Sequence, residues 1–149
     1  KVEIMLISSE MPIGLLDSGL GGLTVLQEAR KLLPHENFLY FADTEALPYG
    51  DKPPHIIVSR AKQAASFLLE QKIKMLALPC FTASSHAFKE LAACLPIPVV
   101  SIIPSSIDAL LSTTKTNHVA LLATQATIDS SVLQNELLER NPSLCITPI

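Results

Sequence analysis

Apolar residues fall along the chain in short blocks, separated by longer stretches with helical spacing. Pro12–Leu16, Asn37–Ala42, Lys74–Leu78, Ile97–Ile103, His118–Ala123 and Leu144–Pro148 are mostly near-continuous apolar runs rather than alternating ones. Strands buried on both faces show that pattern. Between them the spacing predicts helices over Leu20–Leu33, Ile56–Gln71, Ala83–Cys94, Ser106–Ser112 and Ser130–Arg140. In the first helix Leu23, Leu26, Arg30 and Leu33 share one side, and Val25, Ala29 and Leu32 another. So broad a stripe predicts a helix lying on a sheet. The prolines of Leu95–Pro98 stop the third helix before the fourth strand, because proline cannot continue a helix. Strands alternating with helices make βαβ units, so the expected fold is α/β, a doubly wound parallel sheet. Ligands of such sheets bind beyond the C-terminal ends of the strands. The residues just after each strand are therefore the candidates for function.

Composition narrows the classes. The chain has 149 residues, 48% hydrophobic and 17% charged, enough for a real core. Aromatic residues make up 5% and Trp is absent, so the core is expected to be aliphatic and Ala-rich. No apolar run approaches the ~18 residues of a membrane span. Net charge is −3 with no Lys/Arg run, which argues against nucleic acid and against an anionic membrane surface. Cys80, Cys94 and Cys145 are far apart and odd in number. That argues against a disulfide framework and for a reducing, cytoplasmic setting. No Cys-x-x-Cys or His-x-x-x-His pair supports a metal site. The expected division is an N-terminal extension over residues 1–11, a first α/β domain over 12–103, and the beginning of a second over 104–149. A Ser/Thr-rich stretch, Pro104–Asn117, marks the passage, and the final strand has no helix after it, as in a fragment.

Asp17–Leu23 reads Asp-Ser-Gly-Leu-Gly-Gly-Leu. A Gly-rich loop opening a helix offers free N–H groups to an anion. The dinucleotide fingerprint would need Gly at Thr24, and no Gly-Lys-Ser/Thr follows, so the anion is not expected to be a nucleotide. Asp17 suits a substrate ammonium; a capping Asp and Ser with turn glycines explains the segment equally well. Pro48-Tyr49-Gly50 makes a stiff turn with a hydroxyl and exposed amides, or simply a turn. Cys80 sits between a strand and the first turn of a helix, where the dipole favours a thiolate able to act as nucleophile or base. Cys94 and Cys145 read as small core residues. His86 lies almost two turns further along Cys80's helix, which disfavours a Cys–His pair. Thr124 and Thr127 hydroxyls suit a carboxylate, with helix capping by Thr127 or Asp129 as the alternative.

Together these segments resemble glutamate racemase. The resemblance rests on Asp17–Leu23, Phe41–Thr44, Pro48–Gly50, Cys80–Ser84 and Ala123–Ile128, in that order, and runs from about Pro12 to the end. It implies the first domain of a two-domain racemase plus the start of the second. It implies cofactor-independent interconversion of L- and D-glutamate for peptidoglycan synthesis, without pyridoxal phosphate or metal. It also implies two cysteines working on opposite faces of the substrate Cα. By the resemblance Cys80 is one base, and Asp17, Ser18, Tyr49, Gly50, Thr82 and Thr127 contact glutamate; a homodimer is compatible with it. The chain departs from the pattern in two places. Phe81 stands where the family has Asn, and the second Cys, in Cys-Thr-His, belongs to a C-terminal half that these residues do not include. The chain alone is therefore not expected to racemise glutamate. Two alternatives remain: a racemase for another amino acid such as aspartate, and a non-catalytic ligand-binding protein with the racemase fold.

Overall fold

Leu15, Leu16, Leu76 and Leu78 are each at most 1% exposed, and they place two strands at the centre of one sheet. The computed structural model describes residues 8–149; the expected extension lies outside the described residues as far as residue 7. Strands β1 (Ile13–Asp17), β2 (Phe38–Ala42), β3 (Met75–Leu78) and β4 (Val99–Ser101) form a parallel sheet in the order β2-β1-β3-β4. The chain winds outward from β1 to β2 and then returns to β3 on the other side. This is a doubly wound sheet whose order reverses between β1 and β3.

Four helices accompany these strands: α1 (Leu23–Leu32), α2 (Pro54–Glu70), α3 (Phe81–Cys94) and α4 (Ile102–Thr113). Ala61, Ala64 and Ala65 of α2 pack with Ala87 and Leu91 of α3 and with Leu16, Leu76 and Leu78 in the main core. Side chains this small let two helices approach the sheet closely, which is why an Ala-rich chain without Trp fills its interior. A second, two-stranded parallel sheet pairs β5 (His118–Leu121) with β6 (Cys145–Pro148). Helices α5 (Gln125–Ser130) and α6 (Val132–Arg140) lie between them in sequence. Ile103, Ile107, Leu121, Leu133, Leu137 and Leu144 form their core. A third small cluster, Tyr49, Ile57, Cys80, Ala83 and Ala126 with Ala46, joins the two parts. Among the described residues no helix is long and apolar enough to cross a membrane.

Several boundaries differ from expectation. The fourth strand stops at Ser101, and Ile102–Ile103 open α4 instead. Ser101 Oγ accepts the Ile103 N–H at 3.1 Å, and Pro104 falls in the first turn, where its missing N–H has no helical partner to lose. The helix expected over Ser106–Ser112 thus starts earlier, at Ile102. Helix α1 starts at Leu23, after the glycines, and buries no residue; Leu32 is 79% exposed. Thr124, not Thr127 or Asp129, caps α5. Ser131, at φ 54°, separates α5 from α6, so the helix expected from Ser130 begins two residues later. Cys94 and Cys145 are exposed rather than core, one at the end of α3 and the other on the largely exposed β6.

Candidate active site

The C-terminal ends of β1 and β3 meet at the reversal point of the sheet, and the loops that leave them carry Asp17, Ser18 and Cys80. A cavity of about 740 Å³ opens there, and Asp17, Ser18, Tyr49, Gly50, Cys80, Thr82 and Thr127 all line it. The sequence candidates, drawn from four separate segments of the chain, are therefore brought together. Thr124 and Phe81 line it too, and Ile107, Leu110, Leu121 and Leu133 form an apolar wall.

Asp17 ends β1 and is 4% exposed. Its Oδ2 accepts the Gly22 N–H at 2.8 Å and the Tyr40 hydroxyl at 2.8 Å. Parallel pairing sets Leu15 opposite Tyr40, and Asp17, two residues on, shares that face of the sheet. Tyr40 was not singled out by the sequence; its place in an apolar strand hid it. Burial and the hydrogen bond to Asp17 push the Tyr40 phenol well above its ordinary range.

Cys80 caps α3: its Sγ accepts the Ala83 N–H at 3.4 Å. The Ser18 hydroxyl lies 3.4 Å from the same sulfur. A hydroxyl from the loop after β1 and an N–H from the first turn of α3 thus meet at one buried thiol. His86 is turned elsewhere, its Nε2 2.9 Å from the Ala126 carbonyl, so no histidine completes a Cys–His pair with Cys80 among the described residues. Cys94 and Cys145 do not line the cavity. Among the described residues no group of three or more His, Cys, Asp or Glu converges as metal ligands would.

Across the cavity three hydroxyls form a ring. Thr82 Oγ1 is 2.9 Å from Thr124 Oγ1 and 3.1 Å from Thr127 Oγ1, and the last two are 2.9 Å apart. Each hydroxyl can donate once and accept twice, so the ring can turn its donors toward an anion.

Tyr49 also lines the cavity. Its hydroxyl donates to Asp43 Oδ2 at 2.7 Å. Asp43 begins the loop out of β2 and also pairs with Arg60, whose Nε donates to Oδ2 at 2.8 Å and whose Nη2 donates to Oδ1. The guanidinium beside Asp43, helped by the Tyr49 hydroxyl, holds this carboxyl below the usual carboxylate range against the opposing effect of burial. Burial, then Asp43, drives the Tyr49 phenol far upward. Asp43 stood in the motif Phe41–Thr44, but no local signal links it to Arg60.

A carboxylate, a capped thiol, a hydroxyl ring and backbone amides around one partly apolar space can bind a small zwitterion and move a proton on it. Comparisons with known proteins agree in one direction. The family model described as Asp/Glu/Hydantoin racemase matches residues 24–143. The glutamate racemase of Enterococcus faecalis is 41% identical over 142 residues, 95% of this chain and 52% of that protein. A crystal structure of a Bacillus anthracis glutamate racemase superposes with a TM-score of 0.89 at 32% identity, over 95% of this chain and 53% of the other. The Francisella tularensis glutamate racemase, solved in complex with D-glutamate, gives 0.87 at 32%, again over 95% and 53%. The chain spans about half the length of the curated relatives it matches.

Proposed function

The chain belongs to the Asp/Glu/hydantoin racemase family, and from that premise we propose that it carries half of a glutamate racemase site, with Cys80 as one of two proton-transfer thiols. The observation behind this reading is the placement of Cys80. It is the one thiol of the cavity and shares it with Asp17 and the hydroxyl ring. The Cys80 thiolate takes the α-proton of one glutamate enantiomer, and a thiol from outside these residues returns a proton to the opposite face of Cα. The electron pair of the broken C–H bond stays on the substrate between the two transfers, so no cofactor is called on. An amino-acid α-proton is very weakly acidic, and a pre-set array of donors in a largely dry space must stabilise the developing charge. In this reading Asp17 meets the ammonium. Ser18, Thr82 and Thr127 hydroxyls and the backbone at Tyr49 and Gly50 meet the carboxylates. D-glutamate made in this way supplies peptidoglycan synthesis in the cytoplasm, where the free thiols of Cys80, Cys94 and Cys145 stay reduced.

Alkylation of the chain by iodoacetamide, followed by mass spectrometry, tests the reading. Glutamate is expected to protect Cys80 and to leave Cys94 and Cys145 unprotected. Equal Cys80 labelling with and without either enantiomer sinks the proposal. Inversion of glutamate by the 149-residue chain, abolished in Cys80→Ala, would overturn the assignment of a single base to it.

Phe81 favours a second reading. Its ring lines the cavity next to Cys80 and packs on the apolar cluster around Ile107, which reduces the polar surface offered to a ligand. The same chemistry on another amino acid, such as aspartate, then follows, and stronger protection of Cys80 by aspartate than by glutamate would select it.

A further inference from the structure

Tyr49 lines the cavity, yet its hydroxyl is committed to Asp43, which does not. What Tyr49 gives the cavity is therefore the placement of the backbone that follows it. Gly50 rests against Thr124 so closely that a Cβ on it would lie 2.6 Å from Thr124 Cβ. Thr124 in turn belongs to the hydroxyl ring and caps α5. On the other side Asp43 is fixed three times. Its backbone N–H donates to the Asp17 carbonyl at 2.9 Å. Arg60, from α2, takes both carboxylate oxygens. The turn between Asp43 and α2 is thus anchored at its beginning, at its end and at Tyr49. Asp43 is 3% exposed, and a buried carboxylate with this many donors has one low-energy position.

We propose that the Arg60–Asp43–Tyr49 chain is a clasp that sets Gly50 against Thr124 and so fixes the hydroxyl ring relative to Cys80, making Asp43 and Arg60 positioning residues of the cavity. The proposal rests on the reading of that cavity as a glutamate site for its functional consequence, but its structural claim stands apart. Neither residue touches the ligand. They act by holding the turn whose backbone does.

The test uses the chain in ¹⁵N-labelled form, with Asp43→Asn, Tyr49→Phe, their double variant, and Glu45→Gln as control, since Glu45 meets the same Arg60 Nη2 but from an exposed position. In Asp43→Asn and in Tyr49→Phe the amide resonances of Gly50 and Thr124 are expected to move, while Glu45→Gln leaves them in place. The glutamate concentration that half-protects Cys80 from alkylation is expected to rise about tenfold in each, one decade of affinity. The double variant is expected to be no worse than Asp43→Asn alone, because the Tyr49 link already runs through Asp43. Unmoved Gly50 and Thr124 resonances overturn the clasp, and so do additive effects in the double variant. If Asp43→Asn does not fold, Tyr49→Phe carries the test, because it leaves the Asp43–Arg60 pair intact. If glutamate fails to protect the parent chain, the glutamate reading falls, while the resonances still decide the clasp.

Discussion

The Ser18 hydroxyl stands 3.4 Å from the Cys80 sulfur, across 62 residues of sequence. It joins the Ala83 N–H as the second polar group reaching that sulfur. Ser18→Ala leaves the sulfur with one of these two contacts. An ordinary hydrogen bond contributes about 1 kcal/mol, so alkylation of Cys80 is expected to slow about fivefold. Cys94 and Cys145 are exposed and serve as internal standards in the same digest. An unchanged ratio of Cys80 to Cys94 labelling would show that the hydroxyl does not act on the sulfur.

Asp43 ties acid stability to the site. Its carboxyl is held below the ordinary range chiefly by Arg60. The unfolded chain then binds the proton first, at about pH 4. The stability Asp43 contributes is full above that value and is lost as pH falls toward its lower folded-state value. Asp43→Asn removes this dependence. The expected outcome is a variant less stable than the parent at pH 7, with a smaller loss between pH 5 and pH 3, measured by urea unfolding at each pH. A variant whose acid loss matches the parent's would mean that Asp43 does not carry the effect.

The parallel sheet and its strands could be read from the chain, because strands buried on both faces leave uninterrupted apolar runs. Leu15, Leu16, Leu76 and Leu78 lie where those runs predict. Helix starts were less legible. Ser101 and Thr124 each end an extended segment and cap a helix, but a hydroxyl in a Ser/Thr-rich stretch does not announce which one caps. The candidate residues around the cavity were legible as motifs after strand ends, since a doubly wound sheet gathers those ends. Tyr40 and Arg60 were not. Tyr40 reaches Asp17 through strand register, and Arg60 reaches Asp43 across 17 residues, relationships that exist only after folding. Helix α1 read as a sheet-packed helix from its apolar stripe, yet none of its residues is fully buried and Val25, Leu26 and Ala29 are only half-buried.

Glycine tolerance separates close packing from mere flexibility. No glycine of the described residues has a positive φ, so backbone strain is not the issue at any of them. At Gly50 an added Cβ would lie 2.6 Å from Thr124 Cβ and 2.8 Å from its Cγ2. At Gly21 the nearest atom would be Asp17 Oδ2, at 3.9 Å. Gly50→Ala is expected to cost roughly 1–3 kcal/mol, as overpacking does, and to shift the turn. Gly21→Ala should stay within about 0.5 kcal/mol, as surface changes do. Denaturant midpoints of the two variants check this, and similar values would place the Gly50 contact outside the packed interior.

Removing hydroxyls from the ring tests whether each does more than fill space. Thr127 is 1% exposed, and Thr127→Val keeps its shape while leaving the 2.9 Å pair between Thr82 and Thr124. The expected cost is about 1 kcal/mol, the net worth of an ordinary hydrogen bond. Thr124→Val removes the same kind of link and also the cap on α5, where Thr124 Oγ1 accepts the Thr127 N–H at 3.3 Å. Loss of a cap adds roughly 1 kcal/mol, so Thr124→Val is expected to be the more damaging by about that amount in urea unfolding. Both variants should weaken glutamate protection of Cys80, since each takes a donor from the anion-facing side. A variant that loses stability without losing protection would mean that its hydroxyl holds the fold and not the ligand. The reverse result, protection lost at unchanged stability, would mean that the ring is kept for binding alone.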